Sequence, residues 1–424
     1  MKYMNIVRCV VVVVIANMSC GDLASAGENS LDWRTESKAT LDERMAWWEE
    51  ARFALFIHWG AYSVLGGEYK GETLEHKYAE QIQRICKISK EDYRKDAASL
   101  FRPEQFDAEQ WVKLAKDAGM KYVVITAKHH DGFAIYHSKH SDFDVENTSQ
   151  WERDPLKELS DACRKHGLKF GVYYSQSQDW HDVFDPSGDW KAPGNPAATR
   201  GSQWGDPAKC DKAAANRKMF EAYMEKKGIP QVVELIEDYG VEMVWYDTPG
   251  AYLDEYAQPF LDAVRNTNPD VVVNARIGAG LGDYQGGPDS PVVFSYTKDR
   301  YWEAIQSTLH SWGYNKFDEV SRRPTDYLLR MLATVVSKGG NMMINVGPKP
   351  DGTLVENDTK CLREIAEWSR DHIESIHGAH RSPLPPQNWG VVTRKGTDLY
   401  LHVFDWPEDG TLRVGGLRTA GTSA

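Results

Sequence analysis

The chain has 424 residues, enough for one large domain or a large domain with a small companion. Its formal net charge of −12 includes no basic tract, which excludes the phosphate-neutralising surface that nucleic-acid binding requires. With 41% hydrophobic residues, 15 Trp and 20 Tyr, it can build a substantial core or a cleft that packs the C–H faces of a sugar on rings, and composition does not separate the two.

At the N-terminus Lys2 and Arg8 precede the run "CVVVVVIANM", and Ala24-x-Ala26 offers a small-residue cleavage site. The run is shorter than the ~20 helical residues that span a bilayer, so residues 1–26 read as a signal peptide and the protein is expected to be secreted or periplasmic. Cys20, in "NMSCG", is a poor match to a lipoprotein box; lipidation there is the one route by which a membrane association is expected. Beyond the leader remain Cys86, Cys163, Cys210 and Cys361, whose spacing fits neither a zinc site nor a dense disulfide framework; one disulfide is compatible with it and none is required. Cys163 falls on the apolar face of a helical stretch and is expected in the core.

Continuous apolar runs rich in Val, Ile and aromatics then recur along the chain. They read "RFALFIHWG" from Arg52, "KYVVITAKHHDG" from Lys121, "LKFGVYYSQ" from Leu168, "VEMVWYDTP" from Val241, "DVVVNARIG" from Asp270 and "NMMINVGP" from Asn341. Such runs suit parallel strands buried on both faces. Amphipathic helices separate them. "DAEQWVKLAKDAG" places Trp111, Leu114, Ala115 and Ala118 at helical spacing before Gly119, and "PLKELSDACRKHG" repeats the form and stops at Gly167. Strand–helix alternation of this kind predicts a (β/α)-barrel or a doubly wound sheet.

A barrel is preferred because nearly every strand ends in polar or reactive groups: His58, His129, His130 and Asp131, Ser175, Asp247, Asn274 with Arg276, and Asn345. All strand C-termini of a (β/α)8 barrel face one mouth, whereas a doubly wound sheet gathers only those at its switch point. Between Arg276 and Asn341 "PVVFSYT" is one strand candidate and the next is not identified, so the count of eight is left open. The expected division is a leader over 1–26, a catalytic barrel over 27–380 and a C-terminal antiparallel β segment over 381–424, with strands in "GVVTRKGTDLYLHVFDW" and "TLRVGGL". Forty-odd residues cannot form an independent core, so that segment must pack on the barrel.

Asp247 follows Trp245 and Met243 on one strand face by the period of two. It suits a nucleophile at a barrel mouth; the alternative is a helix cap, against which Pro249-Gly250 intervene before any helix. His129 and His130 are consecutive and would face opposite ways on a strand, so both reach one ligand only where the chain turns at Asp131-Gly132. They fit hydrogen bonding to hydroxyls or, with His58, Asp131 and Asp247, a metal site. Arg276 near a mouth demands an anionic or polar partner. The paired glycines in "SKGGNMMINVGPKPDG" lack the Gly-Lys-Ser/Thr ending of a phosphate loop.

From "WWEEARFALFIHWGAYSV" to "KGGNMMINVGPKPDGTL" the chain resembles the α-L-fucosidases of glycoside hydrolase family 29. The resemblance is carried by "FIHWGAYSV", "KYVVITAKHHDGFAIYHSKHSDF", "RDPLKELSDACRKHGLKFGVYYSQSQDWH", "VWYDTP", "WE" followed by "SWGYN", and "SKGGNMMINVGP", in that order. It implies a (β/α)8-like barrel followed by a β-sandwich and retaining exo-hydrolysis of terminal α-L-fucosyl residues on oligosaccharides or polysaccharides, with no cofactor and no metal. It implies Asp247 as nucleophile, His58, His129 and His130 as hydroxyl ligands, and Trp245 and Tyr173 as pocket walls. Tyr173 is chosen over Tyr174 because the family pattern Gly-x-Tyr-x-Ser falls on Gly171, Tyr173 and Ser175. Arg276 matches the Asn-x-Arg motif. Glu80-Gln81 matches a Glu-Trp pair, Gln81 being a departure that weakens one pocket contact. Glu303 is the expected acid/base, its pKa raised by Trp302 and the Asp247 carboxylate; Asp289, Asp299 and Glu319 are its rivals. Relatives carry a longer β-sandwich. Two other functions compete: a non-catalytic fucose-binding barrel, and a metal-dependent hydrolase built on His58, His129 and His130.

Overall fold

The six apolar runs named above all enter one parallel sheet. The computed structural model describes residues 5–10, 36–75, 77–182, 218, 220–248, 256–289, 301–319 and 323–417. Helix α1 (Lys38–Ala51), capped by the Ser37 side chain on Thr40 N, leads into β1 (Phe53–Ile57). Next come α2 (Ala108–Asp117), β2 (Tyr122–Lys128), α3 (Pro155–His166), β3 (Lys169–Tyr174), α4 (Ile229–Tyr239), β4 (Met243–Tyr246), α5 (Ala257–Thr267) and β5 (Val272–Val273). Strands β6 (Gln285–Asp289) and β7 (Trp302–Ser307) precede α6 (Thr325–Ser337), β8 (Asn341–Val346) and α7 (Glu356–His372). Asp107 and Asp154 cap α2 and α3 by accepting from Gln110 N and Lys157 N, and Gly167 ends α3 in the left-handed conformation a side chain would disfavour.

Sheet order is β5-β4-β3-β2-β1-β8-β7-β6, each strand beside its chain neighbour. The open ends meet through a parallel bridge between Asn274 and Tyr284, with Ala275 N donating to Tyr284 O at 2.8 Å and Asp283 N to Val273 O at 2.7 Å. The eight strands therefore close into a barrel. "WEAIQS" supplies a strand that the apolar pattern missed, because Glu303 and Gln306 interrupt it; "PVVFSYT" lies outside the described residues.

Closure creates two cores. Outward strand residues such as Leu55, Ile57, Val123, Ile125 and Val244 pack on the helices, with Cys163 among them. Inward residues, including Ala54, Phe56, Tyr122, Tyr173, Met243, Trp245, Ile305 and Met343, fill the lumen, and Met45 and Trp48 of α1 plug its floor. Each such apolar side chain contributes roughly 1.5–3 kcal/mol by leaving water. Cys163 and Cys361 are buried and Cys86 is half-buried. Among the described residues no helix is long and apolar enough to cross a membrane.

The C-terminal segment is a hairpin of β9 (Gly390–Lys395) and β10 (Asp398–Val403), docked by Thr393 Oγ1 on Ser375 O (2.8 Å) and Arg330 Nη2 on Phe404 O (2.8 Å). "TLRVGGL" forms no strand: Leu412 and Val414 pack on the hairpin, but the backbone at Gly415 bonds the Gln387 side chain rather than a ladder. The free edge of β10 is covered by residues Asn5–Val10, antiparallel from Asn5 opposite Val403 to Val10 opposite Asp398.

Candidate active site

Parallel strands bring their C-terminal ends to one mouth, and the turn after each strand sets the side chains there. Asp247 lies directly after β4. Its Oδ1 accepts from Arg276 Nη1 (2.7 Å) and Thr248 N (2.8 Å), and its Oδ2 from the Tyr173 hydroxyl (2.9 Å). Burial pushes the Asp247 carboxyl up, but the Arg276 guanidinium, with the Thr248 and Tyr173 donors, more than offsets this and holds it below the ordinary carboxylate range. Arg276 sits in the turn Ala275–Ile277 after β5, and its guanidinium lies over the Trp245 ring, 4.8 Å from the centroid. Trp245 in turn stacks on Tyr173, centroids 5.5 Å apart at 17°.

His58 lies directly after β1, and its Nδ1 is 2.6 Å from Asn345 Oδ1. The Asn345 amide nitrogen donates to Trp312 O (2.8 Å), so its oxygen accepts and His58 Nδ1 carries the proton, leaving Nε2 as an acceptor. His130 obeys the same logic: Nδ1 is 2.6 Å from Ser175 Oγ, whose proton goes to Gln178 O (3.0 Å). His130 Nε2 stands 3.6 Å from Asp247 Oδ2, too far for a hydrogen bond. His129 stacks on Tyr173 (5.2 Å, 13°), and its buried Nδ1 has no hydrogen-bond partner. Burial keeps all three rings neutral, His58 with its pKa lowered to about 4 and His129 and His130 well below the usual value. Glu80 lies in the turn Ala79–Gln81 and is buried, its Oε2 accepting from Gly313 N (3.0 Å) and Ser311 Oγ (3.3 Å) in the loop after β7.

Glu303 is placed elsewhere. It is the second residue of β7, opposite Asn341 at the start of β8, and its mouthward neighbours on the same face are Ile305 and Ser307. Its Oε2 accepts from the Tyr122 hydroxyl (2.6 Å), its Oε1 from the Tyr284 hydroxyl (3.0 Å) and Trp245 Nε1 (3.3 Å). Burial pushes its pKa up to about 7 against those three bonds, and neither Trp302 nor Asp247 is among the causes. The acid/base is expected at the mouth; the structure instead places Glu303 on the barrel floor, beneath the Trp245 ring that Asp247 stands above. Burial is the largest cause of its raised pKa.

The mouth thus gathers Asp247, His58, His129, His130, Tyr173, Trp245, Arg276 and Glu80, and leaves Glu303 out. Trp312, whose ring packs on His58 at 5.5 Å, and Gln176 also belong to it and escaped the sequence reading. The signal for Gln176 was a polar pair directly after a strand end; Trp312 lay in "SWGYN" with no strand yet recognised before it. No group of three or more His, Cys, Asp or Glu among the described residues has metal-holding geometry. His58 and His130 each commit one ring nitrogen to Asn345 and Ser175.

An ionised carboxylate ringed by neutral hydroxyl ligands and aromatic faces suits nucleophilic attack on a neutral sugar. Comparison with known proteins agrees. The α-L-fucosidase family model matches residues 22–374. The chain is 29% identical to human plasma α-L-fucosidase over 89% of its own length and 80% of that protein, and 29% identical to an α-L-fucosidase of Branchiostoma floridae over 91% and 84%. Among solved structures, the α-L-fucosidase of Vibrio sp. strain EJY3 superposes with TM-score 0.76 at 32% identity, covering 90% of this chain and 64% of that one. A family 29 α-L-fucosidase of Bacteroides thetaiotaomicron gives 0.77 at 26% identity, covering 89% and 85%. A covalent intermediate with 2-fluoro-fucosyl fluoride has been trapped in a family 29 fucosidase of that organism, which covers 87% of this chain. The chain belongs to the α-L-fucosidase family, glycoside hydrolase family 29.

Proposed function

We propose that Asp247 is the nucleophile with which this retaining α-L-fucosidase releases terminal α-L-fucosyl residues, and that Asp289 is its acid/base. The observation that carries the reading is the Asp247 carboxylate, held ionised by Arg276, Thr248 N and Tyr173 among neutral histidines. Asp247 attacks the anomeric carbon, the bond to the aglycone oxygen breaks, and that oxygen takes the acid's proton. The resulting fucosyl ester is cleaved by a water that the same residue, now a base, deprotonates, and the Asp247 carboxylate is regenerated. His58, His129, His130 and Glu80 bind sugar hydroxyls, with Tyr173 and Trp245 as walls. The intermediate trapped in the Bacteroides enzyme supports two steps for this chain too.

Asp289 replaces Glu303 because it ends β6, at the C-terminal end of a barrel strand, two strand positions beyond the level of Glu303. Of the other rivals, Asp299 lies outside the described residues, and Glu319 accepts from the Tyr314 hydroxyl (2.6 Å) and sits 3.6 Å from Lys349. Retaining enzymes hold their two carboxyl groups ~5–5.5 Å apart.

Azide distinguishes the roles. With an aryl α-L-fucoside, Asp247→Gly should yield the inverted β-fucosyl azide. Asp289→Ala should accumulate the ester and yield the α-fucosyl azide. Glu303→Gln should yield neither. An α-azide from Glu303→Gln would return the acid to Glu303, and wild-type turnover by Asp247→Gly would remove Asp247 from the chemistry. Residues 1–26 serve, on this reading, as an export leader, which makes the enzyme secreted or periplasmic.

A further inference from the structure

We infer that Gln176 and Ser177, adjacent residues just beyond β3, form a clamp that positions Asp247 by fixing the backbone of Asp247 and Thr248. The inference rests on Asp247 being the nucleophile. Gln176 is fully buried; its Oε1 accepts from Asp247 N (3.0 Å) and its Nε2 donates to Arg276 O (3.0 Å). One side-chain amide therefore ties the end of β4, which carries the nucleophile, to the turn after β5, which carries its cationic partner. The amide's orientation is fixed by this chemistry, since a backbone N–H needs the oxygen and a carbonyl needs the nitrogen.

Ser177 is also buried, and its Oγ lies 3.1 Å from Thr248 O and 2.9 Å from Thr248 Oγ1. Thr248 has φ 51°, a left-handed backbone that a β-branched residue adopts only when its surroundings impose it. That conformation turns Thr248 N back onto Asp247 Oδ1, supplying one of the three donors on the carboxylate. The strained residue is thus part of the nucleophile's setting, and Ser177 is what holds it. Gln176 fixes how far Arg276 stands from Asp247; Ser177 fixes the backbone donor beside it. The side chains of both are committed to Asp247, Arg276 and Thr248, so they act through the nucleophile and are positioning residues.

The test uses the full-length enzyme and steady-state kinetics on an aryl α-L-fucoside across pH. Gln176→Leu is expected to lose about 10–100-fold in kcat with KM nearly unchanged, the order of loss for a small misplacement of reacting groups. The acidic limb of its kcat/KM profile should move to higher pH, because a loosened Arg276 stabilises the carboxylate less. Ser177→Ala should lose kcat as Thr248 relaxes, and adding Thr248→Gly should restore most of it, since glycine takes positive φ unaided. A role confined to folding would shift stability without moving the acidic limb and would not be rescued by glycine. An unmoved limb in Gln176→Leu, or no rescue by Thr248→Gly, overturns the clamp. Should Gln176→Leu not fold, the rescue pair decides alone. The azide product of Asp247→Gly tests the nucleophile separately, so failure of the clamp and failure of that role are distinguishable.

Discussion

Asp247, half-buried, and Glu303, fully buried, are carboxyl groups in one barrel, and their surroundings move them in opposite directions. Asp247 faces a guanidinium and stays ionised; Glu303 faces only neutral donors, from Tyr122, Tyr284 and Trp245, and keeps its proton to about pH 7. The linkage of Glu303 to stability has a definite sign. Between its ordinary value of 4.5 and about 7 the folded chain holds a proton that the unfolded chain has lost, so its contribution falls as pH rises. Glu303→Gln removes that dependence, and the variant should gain on the parent by up to about 1.4 kcal/mol per pH unit across this window. Urea denaturation at intervals between about pH 5 and about pH 8 measures it, and parallel pH profiles for the two proteins would refute the buried, protonated Glu303. Sequence motif gave Glu303 a catalytic neighbourhood, but the chain's period of two reports only which face a residue takes, not its height in the barrel.

At the scale of elements, the thinnest part of the barrel is the seam between β5 and β6. Strand β5 has two residues, and closure depends on the stretch around Asn274 and Tyr284. Asp283 secures it: both oxygens accept from Arg265 Nη2 (2.7 and 2.9 Å), Oδ1 also from Arg44 Nη2 of α1 (2.9 Å), and Oδ2 from Val273 N (2.7 Å). One carboxylate therefore joins α1, α5 and β5. Asp283→Ala would leave the buried Arg265 guanidinium without its carboxylate, while Arg44 keeps Glu36, and should cost about 3–5 kcal/mol, the scale for breaking a buried ionic network. Equilibrium denaturation checks this; a loss below about 1 kcal/mol would mean that the seam closes without it. Helices α2 and α3 were legible in advance because cap, apolar stripe and terminal glycine agree in each. Strands β6 and β7 were not. "QGGPD" has no apolar signal, and "WEAIQS" buries Glu303 and Gln306 by pairing its polar groups inside the fold.

For the whole molecule, the N-terminal residues bear two readings. As a leader they are removed; in the full-length chain Asn5–Val10 lies along β10 as a third strand of the C-terminal sheet. Export should separate these: intact-mass measurement of the protein from its native host is expected to show a mature chain beginning near Gly27, with the β10 edge uncovered. A lipid-bearing chain beginning at Cys20 would mean a membrane anchor, and a chain retaining Asn5–Val10 would mean that the strand is structural and the leader reading is wrong.

The sequence by itself determined six of the eight barrel strands, the parallel alternation and most of the groups that gather at the mouth. Those features are local: apolar runs, helix caps and strand-end residues are set by neighbours along the chain, and parallel order then sends every strand end the same way. Tertiary structure alone decided which carboxyl group meets which partner. Whether Glu303 lies at the floor or the mouth depends on the register of β7 against β8 and on α1 plugging the barrel below it. How Asp247 is held depends on Arg276, Tyr173 and Gln176 arriving from two other strand ends. Depth and partnership are properties of packing between distant segments, and no spacing along one segment encodes them.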